Sequence, residues 1–311
     1  MRSEIPAWVE SPLQLLGALE HAALTEQGTV TIFPRGGDAQ LEYTATHLAD
    51  QVAGAADLRA HIALDRRVMP RQFFVDGAPW IIGDPYSGQV QARLDRAQPS
   101  TLTLVDDGAI TRLLAEQLRA GAPLLRPRPP RWLPAMRREL ARRTTRQLLA
   151  LAAEGRLTVT TYLQRHDPAV ETLLALGARV TTHRFDATRR WGDRAVAVPR
   201  NALIVLGTAR VADGLADASA ELHRIARLAH SARVVYLPHR REPHWFLTAV
   251  GRTPDVTVIT ARLPIELALA GTDQALEIIA GASTAAETLP IVLRGTGSIV
   301  RPESAIAGTR S

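Results

Sequence analysis

Cysteine and lysine are both missing from this 311-residue chain. Without cysteine there is no disulfide framework, thiolate metal site, iron–sulfur cluster or cysteine nucleophile, and a cytoplasmic setting is expected. Without lysine there is no P-loop lysine, Schiff base or lysine general base, which excludes P-loop kinases, pyridoxal enzymes and class I aldolases. A phosphate group would have to be met by arginine, histidine, hydroxyls or backbone amides. Aromatic residues make up only 5% of the chain, and the basic stretch 126–146 holds one, Trp132, so the interleaved stacking platform of a single-strand nucleic-acid binder is absent there. No apolar run has the length of a bilayer span. The opening residues, with acidic Glu4 and Glu10, build no signal-peptide core, so the expectation is a soluble protein or one peripheral on the inner face of the membrane.

What remains is ordinary for a globular protein: 46% hydrophobic and 22% charged residues, enough chain for two domains. All 37 basic residues are arginine and the net charge is +6. Joined to heavy Ala and Leu usage, this reads as genome composition, and no nucleic-acid partner is expected. Residues 126–146 combine a proline-stiffened loop with a strongly basic helix. Two readings stand there, a solvated helix face or a surface for anionic lipid or anionic polysaccharide.

Short β-rich runs alternate with helical patterns, which predicts an α/β protein of βαβ units around parallel sheet. Strands are expected at 7–9, 28–33, 102–105, 157–161, 179–182, 202–206, 233–236, 256–259 and 277–280. Helices are expected at 12–25, 41–52, 110–120, 136–154, 168–176, 215–229 and 283–288. A polar, irregular stretch over 184–201 interrupts this rhythm, so we expect two doubly wound, Rossmann-like domains, 1–190 and 191–311, facing across a cleft. Ligands of such folds sit at the carboxyl ends of strands, which directs attention to four junctions.

At the first, Ser11 reads as an N-cap before Pro12, with Gln14 in the first turn on the ligand-facing edge. At the second, an apolar strand runs into Asp106-Asp107-Gly108; the adjacent acids suit a general base, and helix capping is the competing reading. At the third, Pro238 stiffens the approach to His239, Arg240, Arg241 and Glu242, a histidine donor among guanidinium groups that suits a phosphate leaving group. At the fourth, Gly281 leads into Ser283 and Thr284 at a helix start, a phosphate seat that competes, through Glu287, with a capping box.

The order Glu-Ser-Pro-Leu-Gln, Asp-Asp-Gly, Tyr-Leu-Pro-His-Arg-Arg-Glu and Gly-Ala-Ser-Thr resembles the bacterial lipooligosaccharide sialyltransferases and polysialyltransferases. That resemblance implies a two-domain GT-B fold and an inverting, metal-independent transfer of sialic acid or a related nonulosonic acid from a CMP-activated donor to a glycan hydroxyl. No cofactor beyond the donor is implied. It makes Asp106, with Asp107 beside it, the general base, in an acceptor-side first domain. It makes His239 the group that protonates or hydrogen-bonds the departing phosphate, in a donor-side second domain. Ser11, Gln14, Gly108, Arg240, Arg241, Glu242, Gly281, Ser283 and Thr284 become donor-binding candidates. Arg240 stands where the family's His-Pro motif has proline, a departure that bears on the donor sugar. The alternatives are a GT-B enzyme using a UDP-sugar or another nucleotide-sugar, and a catalytically idle scaffold of the same fold. A homodimer is left open.

Overall fold

The computed structural model describes residues 4–25, 28–64, 68–105, 109–127, 134–192 and 198–303. The chain divides into two units, Met1–Ala187 and Thr188–Ser311.

The first unit comprises β1 (Glu4–Val9), α1 (Pro12–Leu24), β2 (Thr29–Pro34), α2 (Ala39–Ala53), β3 (Ala60–Ile62), β4 (Trp80–Ile82) and α3 (Gly88–Leu94). It continues with β5 (Leu102–Val105), α4 (Ala109–Arg119), α5 (Ala135–Ala153), β6 (Leu157–Thr161), α6 (Pro168–Ala175) and β7 (Arg179–Thr182), and the short helix α7 (Asp186–Arg190) spans the division between the units. Its sheet runs β3-β2-β1-β4-β5-β6-β7, parallel throughout, with Trp8 opposite both Phe33 and Ile82, and Ile82 opposite Leu104. The strand order reverses between β1 and β4, which makes their carboxyl ends the crevice of this sheet. Strands with both faces covered read as continuous apolar runs. Trp8, Ile32, Phe33, Trp80 and Ile82 are accordingly buried, as are Leu15, Leu16 and Leu19 of α1. The few aromatic residues are concentrated here: Phe33 lies 4.9 Å from Phe73, and Phe74 stands edge-on to Trp80 at 5.6 Å.

The second unit comprises β8 (Leu203–Leu206), α8 (Ala218–Ser231), β9 (Val234–Leu237), α9 (His244–Gly251), β10 (Val256–Val258), α10 (Ile265–Ala270), β11 (Glu277–Ala280), α11 (Thr284–Val292) and β12 (Ile299–Pro302). The parallel order is β10-β9-β8-β11-β12, the same winding on fewer strands, with its reversal between β8 and β11. Val205, Ile225, Tyr236, Phe246 and Ile279 form its core. Both units are therefore doubly wound, Rossmann-like α/β structures, as the alternation of patterns predicts. Among the described residues, no helix is long and apolar enough to cross a membrane.

The structure corrects the sequence-predicted elements in specific ways. Strands β3, β4 and β12 and helices α3, α7, α9 and α10 were not expected. Strands β3 and β4 have only 3 residues each, too short to establish a period of two. The helix expected from Leu215 starts at Ala218, because the Asp217 side chain accepts a hydrogen bond from Ala220 N at 2.8 Å and caps it there. The last helix, expected to stop at Thr288 ahead of proline, runs through Pro290 to Val292. One interior proline costs an amide hydrogen bond, and burial of Leu289 and Val292 holds the extra turn.

Candidate functional site

In the second unit the carboxyl ends of β8, β9 and β11 converge. Gly207 N follows β8 and bonds Leu237 O of β9 at 2.8 Å. A Cβ on Gly207 would stand 2.3 Å from Glu242 Oε2 and 2.8 Å from His239 N. One on Gly281, beyond β11, would stand 2.9 Å from Thr208 Cγ2 and 3.0 Å from Glu303 Oε1. The two glycines let three strand ends and the residue following β12 pack without side chains between them. Gly207 and Thr208 were missed from sequence. Their signal was a strand, a glycine and a hydroxyl, the pattern that singled out Gly281 to Ser283.

Gly207→Ala is expected to cost about 1–3 kcal/mol, because Glu242 is held in place and the clash cannot be relieved by rotating a free side chain. Chemical denaturation compared with Gly251→Ala would check this, since a Cβ on Gly251 would meet its nearest neighbour, Val258 Cγ2, at an ordinary contact distance of 3.6 Å.

His239 sits half-buried at the end of β9. Its Nδ1 accepts from Arg241 N at 3.2 Å, which places the ring proton on Nε2. Burial lowers its pKa, the Arg241 and Arg240 charges add to the fall, and Asp213 opposes them. The imidazole is thus a neutral Nε2–H donor near pH 7, suited to an oxygen that gains negative charge.

The other candidates at this junction take up different positions. The Arg241 guanidinium is held by both oxygens of Asp213 at 2.9 Å, and Arg240 is exposed. Glu242, expected on the donor, is only 9% exposed and points inward. Ser283 is the N-cap of α11 in extended backbone, and its side chain makes no cap hydrogen bond. The hydroxyl half of the capping-box reading is therefore not formed by Ser283. Thr284 opens the helix, and its carbonyl accepts from Thr288 Oγ1 at 3.2 Å. A helix start of this kind carries partial positive charge and unpaired amides, the usual recipe for holding a phosphate.

In the first unit the crevice lies between β1 and β4. Ser11 caps α1 by accepting from Gln14 N at 3.3 Å. Gln14 is 1% exposed; its Oε1 accepts from Glu10 N at 2.8 Å, and a Cβ on Gly83 would stand 2.3 Å from that oxygen. Gln14 therefore holds the end of β1 from inside and lies close against Gly83, just past β4, where a side chain would not fit. Glu10 accepts from Trp8 Nε1 at 2.9 Å and Arg35 Nη1 at 2.6 Å.

Asp84, missed from sequence, is 5% exposed. It accepts from Tyr86 N at 2.9 Å and Arg126 Nη2 at 2.7 Å. It follows the short strand β4 in the run Ile-Ile-Gly-Asp, the same signal as Asp-Asp-Gly after β5. Asp106, Asp107 and Gly108 lie outside the described residues.

Several arginines of the 126–146 stretch are ion-paired or inserted into the first unit. Arg126 pairs with Asp84, Arg143 with Asp95 and Glu139, and Arg142 and Arg146 with Glu139. Arg137 bonds Gln91 and, at 2.7 Å, Tyr86 O. Among the described residues, no group of histidine and carboxylate side chains is placed to hold a metal ion.

No family profile matches the sequence, and no curated protein matches it. Solved structures do match. One is LpCGTa in complex with UDP, with TM-score 0.49 and 11% identity over 90% of this chain and 75% of that one. Another is a UDP-glucose:anthocyanidin 3-O-glucosyltransferase in complex with UDP, with TM-score 0.47 and 10% identity over 99% and 83%. A third is the glycosyl transferase family 9 protein of Veillonella parvula, with TM-score 0.41 and 9% identity over 99% and 90%. At these scores and identities the likenesses assign no activity to this chain.

Proposed function

We propose that the chain is a nucleotide-sugar glycosyltransferase of the GT-B type, with the donor's phosphate held in the crevice of the second unit. The observation that carries this reading is the placement of His239 at the end of β9, its Nδ1 accepting from Arg241 N so that Nε2 carries the proton, one strand from the switch point that the N-terminus of α11 borders. In such a transfer the bond between the anomeric carbon and the phosphate oxygen breaks, and a new bond forms to an acceptor hydroxyl. Negative charge grows on the departing phosphate, where an Nε2–H donor and helix amides lower the barrier without lysine. The acceptor proton goes to Asp106, with Asp107 beside it, a role that rests on the sequence resemblance.

CMP-linked nonulosonic acid and a UDP-sugar are the two donor readings. The motif order favours the first. Arg240, in the place of the motif's proline, favours a departure from it.

A thermal-shift panel of CMP, UMP, UDP, CDP and GDP tests the proposal, since a ligand that binds only the native state stabilises it by about 2.7 kcal/mol at a hundred times its Kd. Selective stabilisation by CMP supports the CMP-sugar, and selectivity for UDP supports the UDP-sugar. A flat response across the panel overturns the transferase in favour of an idle scaffold.

A further inference from the structure

The turn after β9 closes with Glu242 N donating to His239 O at 3.0 Å, and the Glu242 side chain folds back beneath it. Three donors meet on that one carboxylate. Tyr236 Oη donates to Oε1 at 2.6 Å, His239 N donates to Oε2 at 2.8 Å, and the Thr208 backbone amide donates as well. These donors come from inside β9, from the residue two beyond its end and from the residue two beyond β8, so the carboxylate joins adjacent strands where their own ladder has stopped. Gly207 supplies the room, since the carboxylate oxygen lies 2.3 Å from where its Cβ would be.

Only an ionised carboxylate accepts all three bonds without presenting a donor of its own. Burying it costs solvation, which three hydrogen bonds to a charged acceptor offset. Burial holds the Glu242 pKa above its ordinary value and the Glu221 charge adds to the rise, while the Tyr236, His239 and Thr208 donors oppose it. Glu221 of α8 faces the carboxylate and Arg224 of α8 faces the Tyr236 phenol; the two pair with one another at 2.5 Å, and Arg224 also pairs with Glu303 at 3.4 Å.

We infer that Glu242 is the positioning residue of this site, an internal carboxylate that fixes the backbone of His239 so that its Nε2–H is aimed at the donor's phosphate. This deepens the transferase reading and rests on it for the identity of the phosphate. Glu242 contacts no ligand and acts through His239, whose ring is fixed separately by Arg241 N at Nδ1. Glutamine in its place would leave at least one of the three backbone and phenol donors facing an NH2 group.

The test compares wild type, Glu242→Gln and Tyr236→Phe by calorimetry with CMP and cytidine, and with UDP and uridine, over a range of pH. NMR of the His239 imidazole is followed in parallel. In Glu242→Gln we expect nucleotide affinity to fall at least tenfold while nucleoside affinity holds, and the His239 titration to move up toward 6.5 as the ring leaves its seat. In Tyr236→Phe, which keeps the carboxylate and its backbone donors, the acid limb of nucleotide binding should shift to higher pH, because a donor that favoured the ionised form is gone. A merely structural role would weaken nucleotide and nucleoside together.

Equal loss for both ligands, or an unchanged His239 titration in both variants, would overturn the inference. Should Glu242→Gln not fold, the Tyr236→Phe pH limb and His239 titration decide alone. If wild type binds no nucleotide, the transferase reading fails, and the imidazole titration still reports whether Glu242 positions His239.

Discussion

Lowering the pH from 6.5 toward 4 is expected to strip about 3 kcal/mol from the stability of the first unit for each of two histidines, His21 and His183. Burial brings both pKa values down from 6.5 to about 4, opposed at His183 by Asp186. His21, on α1, has Nδ1 2.8 Å from the Thr160 hydroxyl of β6. His183, just beyond β7, is 2% exposed, stands edge-on to Phe185 at 4.6 Å and has no hydrogen-bond partner at either ring nitrogen.

Unfolded histidine takes up a proton near 6.5, and the folded one holds out until about 4. The contribution is therefore complete above 6.5 and is lost as the pH falls through that interval, because the unfolded chain binds more protons there. Domains are commonly stable by only about 5–15 kcal/mol, so the combined loss is large enough to unfold the unit at mildly acidic pH. Urea denaturation at pH 7, 5.5 and 4 measures it. His183→Leu should flatten the slope and raise stability at pH 7 by about 1 kcal/mol by removing unsatisfied buried nitrogens. A transition midpoint that ignores pH across this range would contradict the account.

His239→Ala is expected to lower the rate of nucleotide release from a nucleotide-sugar by about 10²–10³, the usual loss when one donor to a developing oxyanion is removed. The loss should fall on kcat rather than KM, because the hydrogen bond strengthens only as charge moves onto the phosphate. His239→Gln, whose amide can still donate, should recover part of the rate. Initial rates with CMP-sialic acid and UDP-glucose would read this. Equal rates for His239→Ala and wild type on the donor that turns over would remove His239 from the chemistry.

Much of the fold was legible because both sheets are parallel and covered on both faces. Leu102-Thr-Leu-Val and Ala202-Leu-Ile-Val-Leu are continuous apolar runs bounded by polar turns, and each is a central strand or ends in one. What escaped was short: Trp80-Ile-Ile carries no periodicity, yet it is β4, which completes the crevice beside β1. With that strand unseen, Gly83 and Asp84 carried no meaning. At the third junction the pattern pointed to the right turn but not to the direction of its side chains. Glu242 read as a ligand-facing acid beside two arginines, and it points inward because three donors and the space above Gly207 await it there.

Composition alone removed lysine and cysteine chemistry, and local pattern alone placed most strands, helices and strand-end turns, because those depend on residue type and on neighbours a few positions away. The pairing of β1 with β4 and of β8 with β11, the inward turn of Gln14 and Glu242, the Arg126–Asp84 pair and the isolation of the His183 ring came only with the tertiary structure. Each joins residues far apart in sequence or depends on what packs around a side chain, and burial, hydrogen-bond direction and the pKa that follows are properties of that packing.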